Sequence, residues 1–377
     1  MAIFPVNDII KLLDHHVTHQ LGESTSRDLT LGELLDDDAS TPESLATLPL
    51  GYGPSRGDDD LRALVGAHVG VAPEHILITP GGAAGLFLTT FTLCGAGDEV
   101  VVLTPNFPPT LDVIEAVGAT RVDLRLDFER GYRVDERAFR AALSERTKLV
   151  ILVTPGNPSG VAIPPETLRA LDHIVAAESP QARLLVDETY RAASYGDEPM
   201  PPSAATLSPR ISSLASLSKA HGAPGLRIGW LVCRDPEFMD ALIRAKMNVF
   251  ISCSVVDERL AAAVLRNADV ILGERRAHLA TGLDRVGRWV EDHADAVQWV
   301  RPDGGALCCV RLRPEVFDDD AVARFYAALP EHDAMVARGP WFGDSERVFR
   351  VGFGYLPLDR LDAALAAVSA ALAAAAG

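Results

Sequence analysis

The chain has 377 residues, 48% of them hydrophobic, with 35 Lys and Arg against 52 Asp and Glu and a formal net charge of −17. That length predicts two domains, and the apolar content excludes a disordered chain. The negative charge repels a phosphate backbone, which excludes a general nucleic-acid binder but leaves room for a local phosphate site.

The first 48 residues form an N-terminal arm with no clear period. Its opening, "MAIFPVNDIIKLLDHH", carries acids early and no cleavage pattern, so no signal peptide is expected. From residue 58 helices and strands alternate. "DDDLRALVGAHVG" reads as a helix, "HILIT" as a strand and "GGAAGLFLTTFTLCG" as a turn entering a helix. "EVVVLT", "TRVDLRL", "TKLVILVT" and "ARLLVDE" are strands, with "PPTLDVIEAVG", "DERAFRAALSE" and "PETLRALDHIVAAE" as helices between them. "ISSLASLS" and "RIGWLVC" complete the strands of a parallel or mixed sheet covered on both faces. A long helical stretch, roughly 255–293, then leads to "AVQWVRP", "GALCCVRL" and "RVFRVGFG", the strands of a smaller α+β domain. The tail "LDAALAAVSAALAAAAG" reads as an amphipathic helix, and no uncharged apolar run reaches membrane-spanning length. The expected division is an arm over 1–48, a large domain over 49–280 and a small one over 281–377. The five cysteines are odd in number and lack CxxC spacing, predicting reduced core thiols in a cytoplasmic protein and no metal site.

Four stretches carry candidate chemistry. "TPGGAAG" (79–85) places glycines between a strand and a helix, where free N–H groups can face a phosphate, or form a plain turn. "VTPGNPSG" (153–160) fixes Asn157 on a Pro-bounded turn, which an ordinary Asx turn also explains. "LLVDETY" (184–190) ends an apolar strand on Asp187, a costly place for a carboxylate unless a cation pairs with it or the strand end is solvated. "SLSKAHGAPGLRIGW" (216–230) sets a lysine among small residues, in a chain whose other lysines are only Lys11, Lys148 and Lys246. A solvated loop lysine is the plain alternative; an imine-forming amine is the chemical one, a role closed to arginine.

In this order the four stretches resemble the class I/II aminotransferases, pyridoxal-phosphate (PLP) enzymes of fold type I, over roughly residues 50–355. The resemblance implies a large mixed-sheet α/β/α cofactor domain with a smaller α+β domain. It implies PLP held as a Schiff base on Lys219, with Asp187 paired to the pyridinium nitrogen and Asn157 and Tyr190 on the ring hydroxyl. Arg227, Ser216, Ser218 and the backbone at Gly82 and Ala83 match the phosphate cup, and Phe107 the aromatic stacked on the ring. Tyr52 in "GYGPSRG" matches the tyrosine that reaches the cofactor phosphate of a partner subunit, which implies a homodimer. Arg350 matches the arginine that grips the substrate α-carboxylate, ahead of its neighbour Arg347, with Asn157 and the backbone of Gly32 beside it.

Some positions depart from that pattern. "GGAAG" lacks a hydroxyl residue in the phosphate turn, and Glu258 stands where a glutamine is customary. The arm matches nothing closely; His15, His16, Asn106 and Ser252 are candidates to line a side-chain pocket, or are ordinary packing and surface residues. The implied reaction is transfer of an amino group between an amino acid and a 2-oxo acid. The alternative is another PLP outcome in specialised metabolism: a lyase, a cyclase of the capreomycidine-synthase type, or an oxidative deaminase. The Ala- and Arg-rich usage points to a GC-rich bacterial source. A DNA-binding regulator is disfavoured, because only about fifty neutral or acidic residues precede "GYGPSRG".

Overall fold

A computed structural model describes residues 4–35, 40–195 and 200–376. Its large sheet has seven strands, in the order Ile76–Thr79, Gly229–Val232, Ile211–Ser216, Arg183–Asp187, Thr147–Val153, Glu99–Thr104 and Thr120–Arg125. Gly229–Val232 runs antiparallel to both neighbours, and the other pairs are parallel. All the strands predicted for this sheet form within a residue or two of their expected ends.

Strand residues divide between two cores as the two-residue period requires. Val100, Val102, Leu149 and Ile151 join one cluster with Leu86, Leu111 and Phe238, from the helices Gly82–Leu93, Pro108–Ala116 and Pro236–Val249. Val101, Leu103, Val150 and Leu152 join the other, with Phe139 and Leu171 from Glu136–Ala142 and Pro165–Glu178. The sheet is therefore buried on both faces, and its polar residues collect where the parallel strands end.

The small domain has an antiparallel sheet ordered Ala337–Arg338, Val348–Gly352, Leu307–Leu312, Val297–Val300. It shares one core with the helices Ala268–Asp292, Asp319–Ala328 and Leu358–Ala376. The stretch expected as one long helix is two, Val255–Arg266 and Ala268–Asp292, meeting at Asn267. The first packs with the large domain and the second with the small one, and the boundary expected at 280 falls inside the second.

The arm joins the small domain, where His19–Gln20 pairs in parallel with Ala334–Met335. It then passes so close to the domain junction that only glycines can face it. A Cβ on Gly352 would stand 1.6 Å from the carbonyl oxygen of Glu23, and one on Gly222 would stand 2.1 Å from that of Arg27. The backbone seals this path, with Gly352 N donating to Leu21 O at 2.7 Å, Ser26 N to Lys219 O at 3.2 Å and Leu29 N to Gly222 O at 2.7 Å. Among the described residues no helix is long and apolar enough to cross a membrane, and all five cysteines are free thiols.

Candidate active site

The candidate site gathers at the carboxyl ends of the parallel strands. Gly81 and Gly82 follow Ile76–Thr79 and open the twelve-residue helix Gly82–Leu93, whose first turn has no side-chain cap. Its free N–H groups are a ready anion site. Arg227 lies across that end: a Cβ on Gly81 would stand 2.5 Å from Arg227 Nη2. The arginine adopts a left-handed turn at φ 51° and donates through Nη1 to Pro224 O at 3.0 Å, leaving its guanidinium largely exposed. Gly229 permits the approach from below, since a Cβ there would meet Gly81 C and Gly82 N at 2.6 Å. Buried Ser216 lies 3.7 Å from a Cβ built on Gly82, and its Oγ accepts from Ser218 N at 3.3 Å. Ala83 is exposed on the helix's first turn. Together these residues make a cradle whose positive charge meets no counter-ion among the described residues.

Asp187 ends its strand opposite Val153 and Leu214. Its Oδ1 accepts from Thr189 N at 2.9 Å. Burial pushes the carboxyl above the ordinary carboxylate range, with the Thr189 hydrogen bonds opposing. Such a group calls for a cationic N–H. Asn157, buried on its turn, accepts through Oδ1 from Arg350 Nη1 at 2.8 Å. Arg350 is 2% exposed, lies 4.8 Å from the Phe342 ring centroid and donates through Nη2 to Gly22 O. Its Nε meets no acceptor. A buried guanidinium with a nitrogen to spare suits a carboxylate ligand.

Lys219 stands between these two regions. Its Nζ donates to Ser24 Oγ at 3.1 Å, and the Tyr190 hydroxyl donates to the same oxygen at 3.0 Å. Glu23 Oε1 lies 3.6 Å from Lys219 Nζ. Burial tends to raise the Glu23 carboxyl, but the Lys219 ammonium, the Ser24 N–H and Arg350 outweigh it and hold the group below the usual range. Neither Glu23 nor Ser24 was expected from sequence. Their signal lay in the glycines at 222 and 352, which mark where another backbone must pass.

The remaining expected residues lie around this cluster or away from it. Tyr52 is 85% exposed on its loop. Phe107 is half-buried at the start of Pro108–Ala116, on the rim where Glu99–Thr104 ends. Arg347 is turned away, pairing with exposed Asp319 at 2.5 Å, so Arg350 alone of the two points inward. The placing of Gly32 at the carboxylate is corrected: it sits in an exposed helical turn, Leu31–Leu34, and Gly22 supplies the backbone beside Arg350. Turn geometry consumes Asn106, which donates to Leu103 O at 2.9 Å and accepts from Phe107 N at 2.7 Å. His15 and His16 are exposed and Ser252 half-buried. Buried Glu258 substitutes for a glutamine by accepting from Asp58 N at 3.1 Å, beside the loop that carries Tyr52.

The cradle, the buried carboxylate and the amine fit the phosphate, the ring nitrogen and the aldehyde of PLP in turn. Fold and site define a PLP-dependent enzyme of fold type I. The profile of aminotransferase class I and II matches residues 38–368. Capreomycidine synthase of Streptomyces vinaceus is 32% identical over 368 residues, 97% of this chain and 92% of that protein. A crystal structure of a PLP-dependent aminotransferase from Streptococcus suis 89-1591 superposes with a TM-score of 0.88 at 25% identity, covering 98% of both chains. PLP-dependent cyclase OrfR superposes with a TM-score of 0.83 at 26% identity, covering 94% of this chain and 93% of that one. The chain belongs to the aminotransferase class I and II family, whose cofactor is PLP.

Proposed function

We propose that the protein moves an amino group between an amino acid and a 2-oxo acid at PLP held on Lys219. Arg350 carries this reading: a buried guanidinium, joined to Asn157 at 2.8 Å and with Nε unpaired, acts on the same Glu23 carboxylate as the lysine amine. That is a carboxylate grip beside a nucleophile. When bound, PLP supplies the electron sink and accepts the amine.

The chain's own residues then have distinct work. Arg227, Ser216, Ser218 and the N–H groups at Gly82 and Ala83 would hold the phosphate, and Asp187 would keep a proton on the ring nitrogen. Asn157 and Tyr190 would fix the ring hydroxyl, with Phe107 covering the ring. Lys219 Nζ would be the base that takes the proton from the substrate Cα, and its bond to Ser24 Oγ at 3.1 Å supports that role. Exposed Tyr52 supports a homodimer in which each subunit completes the other's phosphate site. The free thiols support a cytoplasmic setting.

A second reading is a cyclase or another non-transferring PLP reaction. Its support is specific: the match to capreomycidine synthase covers 97% of the chain, and so takes in most of the arm that precedes the family match at 38. One experiment separates the two. The holoenzyme is mixed with a panel of amino acids in a single turnover, and products are identified by mass. Transfer gives one 2-oxo acid per cofactor, with the amine retained as pyridoxamine phosphate. Release of ammonia or a cyclised product, with the cofactor returned to its starting form, would sink the transfer reading.

A further inference from the structure

The arm brings an acid to the reacting lysine that the chemistry above does not use. Glu23 Oε1 is 3.6 Å from Lys219 Nζ, and 19% of its side chain remains exposed. Its carboxylate is pinned, because Ser24 N donates to the same Oε1 at 2.9 Å. The backbone behind it is fixed too, wedged over Gly352 and bonded to the lysine loop through Ser26. Glu23 is therefore a positioned group and not a loose surface acid.

Its charge is balanced here by Lys219 and Arg350. Both cations have other duties in a working enzyme. The lysine amine is committed to the cofactor when substrate arrives and serves as a base afterwards, and Arg350 takes the substrate's α-carboxylate. Asp28, five residues along the arm, adds a second negative charge on this side. Burial raises its carboxyl, and the Glu23 charge raises it further. Burial likewise raises the Tyr355 hydroxyl, and both carboxylates add to that. Arg27 offers little relief, being paired with Glu33 at 2.6 Å; Arg275 faces Asp28. With cofactor and carboxylate in place, Glu23 is left as a fixed, half-desolvated anion short of a cation.

We propose that Glu23 is a specificity-determining residue that pairs with a positively charged substrate side chain, a guanidinium or an ammonium. The enzyme then favours basic amino acids over neutral ones and rejects acidic ones. This rests on the reading of the site as a PLP site for amino acids. Arg350 and Glu23 form a two-point gauge, one for the α-carboxylate and one for a cation at the far end of the side chain.

The test uses the holoenzyme with L-arginine, its neutral isostere L-citrulline, and L-glutamate, scored by single-turnover kcat/KM. In the native protein arginine should exceed citrulline by roughly 10- to 100-fold, the worth of one charge-assisted hydrogen bond, with glutamate slower still. In Glu23→Gln the arginine-to-citrulline ratio should fall toward one, whatever the absolute rates, and Glu23→Asp should restore part of it. Cofactor content and thermal denaturation confirm that each variant is folded. If the native protein handles citrulline as well as arginine, the proposal is wrong while the amino-acid reading stands. An unchanged ratio in Glu23→Gln with all rates lowered alike would overturn it too, making Glu23 a proton carrier or a prop for the arm. A native holoenzyme that reacts with no amino acid would overturn the reading of the site, and this proposal with it.

Discussion

Replacing Gly81 with alanine tests the phosphate cradle at its tightest point. Gly81 has φ 83° and ψ 167°, a region essentially reserved for glycine, where another residue costs about 1–3 kcal/mol. The new Cβ would also stand 2.5 Å from Arg227 Nη2 and 3.2 Å from its Cζ. The guanidinium is the free end of a flexible side chain, so it moves and the backbone does not. Losing its charge-assisted bond to a phosphate removes about 1.5–3 kcal/mol of binding, or roughly 10- to 150-fold in cofactor affinity. The assay is titration of the apoenzyme with PLP, followed by protein fluorescence, in the native protein, Gly81→Ala, Arg227→Gln and the double variant. Thermal denaturation of the apo forms separates backbone strain from cofactor loss. Because both changes act through one guanidinium, the double variant should lose much less than the sum of the single losses. Native affinity in Gly81→Ala, or fully additive losses, would refute the placing of Arg227 over this helix end.

Two further outcomes follow from the geometry. Arg350→Lys removes the bidentate fork and the bond to Asn157, so kcat/KM for amino acids should fall about 100-fold or more, whereas Arg347→Ala breaks a pair with Asp319 and a bond to Phe317 O away from the site and should stay within about twofold; steady-state kinetics on both variants check this. His221 is 2% exposed with neither ring nitrogen bonded, and burial holds it down at about 3 from the ordinary 6.5. It stays neutral in the fold while the unfolded chain takes up a proton. Its contribution is therefore intact above pH 6.5 and lost as pH falls from there toward 3. At about pH 5.5 the loss is about 1.4 kcal/mol, with a nearly equal part from His68, which burial holds at about 4. Urea denaturation at about pH 7.5 and 5.5 should show this slope, and His221→Asn should remove roughly half of it.

Much of the site was legible because its residues sit at strand ends and turns, where local sequence dictates geometry. Asp187 closes the apolar run "RLLVD", and Asn157 follows "KLVILV" on a proline-bounded turn. Their strands are adjacent, with Val153 opposite Asp187. A parallel sheet aligns the ends of neighbouring strands, so residues far apart in the chain meet without any long-range signal in the sequence. Lys219 and Arg227 are bracketed by Ser216 and Gly229, the facing ends of an antiparallel pair. Short strands, glycine turns and the lysine's lone place in a small-residue loop are local features, and the sequence by itself determined them.

The arm was different. Residues 22–28 have no period to read, and their position depends on surfaces contributed by Gly222 and Gly352, some 200 and 330 residues away. Gly32 was the plausible glycine by local pattern, yet the chain folds Gly32 into a solvent-facing turn and threads Gly22 beneath Arg350. The choice between Arg347 and Arg350 became physical only in the sheet: Val348–Gly352 turns Arg350 inward opposite Cys309, while Arg347 lies just outside the strand and reaches Asp319 at 2.5 Å. Composition and local pattern thus fixed the chemistry at the strand ends. The approach of a distant backbone, governed by close packing at glycines and by pairing of buried charges, decided which acid stands beside the lysine.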